Sequence, residues 1–74
     1  MYLYKRGEKM KLSVKKLNLL LANRVMSIEK LSKESEVSKV TLSRMKAGAQ
    51  EPRPQTLGKI ARALGCKVED LLED

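Results

Sequence analysis

Apolar residues recur along the chain at the spacing of one helix face. Val14, Leu17, Leu20, Leu21 and Ala22 make the first such stripe. Ser13 is placed to cap this helix, with Leu12 and Leu17 as a hydrophobic staple across the cap. Its end is expected near Asn23, a residue type that tolerates left-handed backbone. A second helix is predicted over roughly 28–35 and a third over roughly 39–47, with Gly48 as the stop. Residues 49–53 read as a loop. Pro54 suits the first turn of a fourth helix, where its missing N–H costs nothing. Leu57, Ile60, Ala61 and Leu64 form that helix's apolar face, and Gly65 ends it. Val68, Leu71 and Leu72 predict a short fifth helix with Glu69 and Asp70 in its first turn, where the helix dipole favours acids. The expected fold is all-α: five helices over residues 13–74, preceded by a basic N-terminal arm over 1–12.

Residues 27–48 carry the most specific signal. Ser27 and Ser38 can each accept a backbone N–H bond at a helix start. Leu31, Val37, Leu42 and Met45 are spaced so that two crossing helices share one apolar contact. The result is a helix-turn-helix, a device that sets one helix into the major groove of DNA. Lys39, Thr41, Ser43 and Arg44 occupy faces of the third helix that need not be buried. Their types bond base edges and phosphates. Arg44 and Lys39 are the leading candidates for base readout, because Arg grips guanine O6 and N7 with two bonds. Val40 and Thr41 offer methyl groups to thymine, with partial burial of Val40 as the alternative. Leu42 and Met45 are core. Ser32 falls where helices 2 and 3 approach closely, so a small residue is expected there for packing.

Three readings of the arm stand side by side. Tyr2–Arg6 and Lys9–Ser13 flank Gly7-Glu8, which suits a two-residue hairpin turn with Leu3 opposite Leu12. A basic tail without regular structure fits the same residues. Arg6-Gly7-Glu8-Lys9 can also be encoded by a purine-rich, ribosome-binding-like stretch, which would make Met10 the natural start.

Charge sharpens the expectation of a polyanionic partner. The chain has 16 Lys and Arg against 9 Asp and Glu, for a net charge of +7. The acids Glu69, Asp70, Glu73 and Asp74 concentrate in the tail, so residues 1–67 carry +11. A cationic body of this kind attracts nucleic acid. Seventy-four residues make one domain near the size where a core becomes marginal. Without Trp or Phe, the core must come from Leu, Ile, Val and Met. Cys66 is the only cysteine, so no internal disulfide forms, and beside Gly65 it reads as a small core residue. With no His and one Cys, no zinc site is expected, and no cofactor is implied. There is no nucleophile–base constellation and no glycine-rich phosphate loop, so an enzyme is not expected. No apolar run reaches the ~20 residues of a membrane span, and the start lacks a signal-peptide core. The cytoplasm is the expected location.

From Leu17 to Leu72 the chain resembles the Cro/repressor-type, or xenobiotic-response-element, helix-turn-helix family. The resemblance rests on Met26-Ser27, Leu31, Val37-Ser38, Thr41-Leu42-Ser43-Arg44, Gly48, Pro52, Thr56-Leu57, Ile60-Ala61, Ala63-Leu64-Gly65 and Leu71-Leu72. It implies a compact five-helix, lambda-repressor-like DNA-binding domain. In that family the residues matching Lys39, Val40, Thr41, Ser43 and Arg44 commonly face DNA. Those matching Ser38 and the loop around Gln50 and Arg53 commonly touch phosphates. Three departures stand out. Ile28 replaces a frequent Gln, Glu36 replaces the turn glycine, and Leu21 with Lys46 replaces an Arg–Glu pair. Losing both members of that pair together strands no buried charge.

The expected function is a sequence-specific regulator of transcription, a small repressor that binds a palindromic operator as a homodimer on double-stranded DNA. An antitoxin that represses its own operon is the alternative within the same class. A protein-interaction module that keeps the fold without DNA is the alternative from a different one.

Overall fold

The computed structural model describes residues 10–73. Four α-helices follow one another: α1 (Val14–Asn23), α2 (Ile28–Ser35), α3 (Lys39–Lys46) and α4 (Pro54–Leu64). Three of the four starts are serine caps. Ser13, Ser27 and Ser38 accept from the backbone N–H of Lys16, Lys30 and Thr41, each at 3.1 Å. The fourth start has Pro54 in its first turn, as the sequence predicts. Gly48 and Gly65 hold left-handed backbone at φ +76° and +69°, where a side chain is strained.

The fifth predicted helix is instead a single 3₁₀ turn, Val68–Leu71. The Asp70 carboxylate accepts from Lys67 N–H at 3.0 Å, while Asp70 N–H donates back to the Lys67 carbonyl at 3.0 Å. These reciprocal bonds close a tight turn too short to propagate as an α-helix.

Leu17, Leu31, Leu42, Met45, Leu57, Ile60 and Leu71 are fully enclosed. The helix α2 packs on both α3 and α4, and the 3₁₀ turn bridges α4 and α1. The two ends of the described chain meet. Leu12 and Leu72 form an isolated antiparallel bridge, Ser13 N–H donates to the Leu71 carbonyl at 2.7 Å, and Glu73 N–H donates to the Lys11 carbonyl at 2.8 Å. Lys16 Nζ adds a bond to the Leu72 carbonyl at 2.8 Å. Leu12 is thereby buried beside Leu17, the pair expected as a staple. Of the hairpin expected over residues 2–13, the turn and the first strand lie outside the described residues; of the second strand, Leu12 pairs with Leu72.

The turn between α2 and α3 is fixed by two serines. Ser32 Oγ donates to the Val37 carbonyl at 2.7 Å, so this small residue bonds the turn as well as making room for packing. Ser35, buried, donates to the Leu31 carbonyl at 2.6 Å and accepts from Val37 N–H at 3.3 Å. Glu36, directly after Ser35, takes the left-handed conformation at φ +60°.

α1 ends at Asn23 as expected, but the left-handed residue is Val25, at φ +48°. A β-branched residue there is a genuine backbone outlier. Val25 is 92% exposed, so it gains no packing in return. Val25→Gly should therefore raise the free energy of unfolding by about 1 kcal/mol, strain relief exceeding the added unfolded-state entropy. Urea unfolding of the two proteins checks this; a lower midpoint for the variant would show that Val25 is unstrained.

Candidate nucleic-acid interface

The outer face of α3 is set by what its inner face buries. Leu42 and Met45 point into the core, completely enclosed. At about 100° per residue, Lys39, Ser43, Ala47, Val40 and Arg44 then fall in sequence around an arc of roughly 140° on the opposite side. All five are exposed. The helix itself carries Lys39, Arg44 and Lys46 and no acid.

Each residue singled out from the sequence has a definite place. Ser38 is exposed and caps α3; its hydroxyl also donates to Thr41 Oγ1 at 2.8 Å. Thr41 is half-buried at the edge of the arc, its hydroxyl already engaged by Ser38. Val40 is 60% exposed, which decides between its two readings in favour of an open methyl surface. Lys39 is exposed, and its Nζ lies 3.3 Å from Glu29 Oε1. Ser43 and Arg44 project freely from the arc. Gln50 and Arg53 are exposed on the loop before α4, on either side of the buried Pro52. The structure thus groups Lys39, Val40, Ser43 and Arg44 on one surface. Thr41 stands at its margin, and Gln50 and Arg53 belong to a separate loop.

Sequence reasoning passes over two residues of this face. Ala47 lies near the centre of the arc, where a methyl side chain permits close approach of a flat partner. Its small size directly after a helix whose charged residues are all cationic is the signal. Glu29 lies across a shallow crevice from α3 that Ser27, Ile28, Ser43 and Ala47 also line. Only the helix crossing reveals that neighbourhood. Ile28 is half-buried and packs against the core, which accounts for an apolar residue at this position.

Other chemistry is sparse. Burial pushes the Cys66 thiol above its ordinary range; Asp70 adds to the rise and Arg24 opposes it. The thiol is thus predominantly protonated at neutral pH, and Cys66 packs half-buried against the core. Among the described residues no group of three metal-ligating side chains comes together. No helix there is long and apolar enough to cross a membrane.

A family model described as a Cro/C1-type HTH DNA-binding domain matches residues 16–74. No curated protein matches the chain. The matched span includes all four helices but the first two residues of α1, together with every side chain of the arc.

Proposed function

We propose, starting from a chain that belongs to the Cro/C1-type helix-turn-helix DNA-binding family, that this is a small transcriptional repressor that occludes a promoter by lying across a two-fold-symmetric operator. The observation that carries the reading is the outward arc of α3. It combines two long cations, a hydroxyl, an exposed branched methyl surface and a small central residue, with no acid on the helix itself.

Roles follow from chemistry. Arg44 reads guanine through O6 and N7. Val40 packs on a thymine methyl. Lys39 and Ser43 bond base edges or the adjoining phosphates. Ser38, at the start of α3, and Gln50 and Arg53, on the loop that follows it, position the duplex through its phosphates. Thr41 contributes through its methyl and through the hydroxyl that steadies Ser38. The basic arm 1–12 adds attraction without sequence content, while residues 13–74 carry the contacts.

One recognition helix reads few bases, so useful specificity calls for two copies on half-sites about 34–36 Å apart. On this reading the protein acts in the cytoplasm, requires no cofactor and catalyses no reaction.

Fluorescence anisotropy across a salt series tests the reading. The association constant should fall with salt, with a log–log slope of about −0.9 for each phosphate neutralised, and several phosphates are expected. Absence of saturable binding to any duplex at low salt, or binding indifferent to salt, would reject it.

A further inference from the structure

Lys39 and Glu29 meet where α2 crosses α3. Lys39 is the first residue of α3 and Glu29 the second residue of α2. Their charged groups lie 3.3 Å apart, with side chains 60% and 76% exposed. An ion pair this open to water is weak, and it exchanges partners readily. The local fold places no demand on it. Ser27 already caps α2 through the Lys30 N–H, and an acid in the first turn is favoured by the helix dipole whether or not Lys39 is near. Yet the pair sits at the mouth of the crevice between α2 and the arc, beside Ser43 and Ala47. Lys39 is thus a leading DNA-facing cation held by a carboxylate of the same chain.

We infer that Glu29 is an internal stand-in for DNA: its carboxylate occupies the Lys39 ammonium in the free protein and competes there with the phosphate or base acceptor that replaces it. The inference rests on the DNA-binding reading above. A phosphate and a carboxylate offer Lys39 the same chemistry, an anionic oxygen acceptor, so one exchanges directly for the other. The exchange lowers affinity, and it makes Glu29 a determinant of how tightly the duplex is held without any contact of its own to a base.

A double-mutant cycle separates this from simpler effects. The full chain, Glu29→Gln, Lys39→Met and the double variant are titrated against a duplex selected from a random pool, with circular dichroism confirming that each is folded. Glu29→Gln should bind about two- to fivefold more tightly, the range of an exposed ion pair. The gain should shrink as salt rises. In the Lys39→Met background the same substitution should give no gain. Weaker binding by Glu29→Gln would overturn the inference, since the carboxylate would then be positioning Lys39 for DNA. Unchanged binding would overturn it as well. So would a gain that persists in full without Lys39, because the carboxylate would then be repelling DNA phosphates directly. Failure of the unsubstituted chain to bind any duplex would instead sink the DNA-binding reading itself.

Discussion

Leu42→Ala is expected to lower the free energy of unfolding by about 2–5 kcal/mol, the usual cost of emptying a fully packed leucine site. Leu42 is completely enclosed and shares the core with Leu31, Met45 and Leu57. It is also, with Met45, one of two residues of α3 that are buried. The helix has only eight residues, too few to persist without tertiary packing. Removing three heavy atoms and their hydrogens from its anchor therefore strikes both the core and the orientation of the outward arc. Small domains are stabilised by roughly 5–15 kcal/mol in total, so the expected loss is a large share of the whole. Urea unfolding followed by circular dichroism measures it. A loss below about 1 kcal/mol would mean that α3 is not held by this face, and the assignment of its outward residues would fall with it.

Arg44→Ala should do the reverse, with stability kept and recognition lost. Its side chain is exposed and makes no hydrogen bond or ion pair among the described residues. The contact its main chain makes, the Arg44 carbonyl accepting from Ala49 N–H at 2.9 Å, survives truncation. Thermal melts of the variant and the parent should coincide. A guanine gripped by two bonds contributes about 1–3 kcal/mol of discrimination, or roughly a 5- to 150-fold loss of affinity for the selected site. Binding to random duplex should fall much less, because one phosphate-attracting charge is removed and no base contact was made there. Equal losses on both duplexes would reduce Arg44 to a phosphate contact. A clear drop in melting temperature would mean that the residue is structural.

The helix boundaries were legible because each is written in local chemistry. Ser13, Ser27 and Ser38 cap, Pro54 starts a first turn, and Gly48 and Gly65 accept left-handed backbone. Leu17, Leu21, Leu31, Leu42, Leu57 and Leu64 follow from periodicity, whereas Ala22, placed in the same stripe as Leu17, is exposed. The exposure of Val40 and the half-burial of Thr41 needed the crossing angles of the helices, since periodicity gives a face but not its neighbours. Three features were not legible for the same reason: they join residues far apart in the chain or contradict local preference. The Leu12–Leu72 bridge pairs two ends that no short-range pattern connects. Glu29 reaches Lys39 ten positions away and only across a helix crossing. Val25 adopts a backbone conformation that its branched side chain disfavours, so propensity pointed to Asn23 instead. The last element is helical but 3₁₀, a distinction that Val68 and Leu71-Leu72 cannot carry, since their helical spacing spans too few residues to separate an α from a 3₁₀ turn.

Selection from a random pool of duplex DNA with the purified full chain tests most directly whether the outward arc of α3 reads sequence. Repeated rounds should enrich a two-fold-symmetric site whose half-sites lie about one helical turn apart and contain guanine next to thymine. Repeating the selection with Arg44→Ala should erase the guanine preference while leaving the rest of the site recognisable. A pool that stays random through every round, under salt low enough for the protein to bind, would contradict the account.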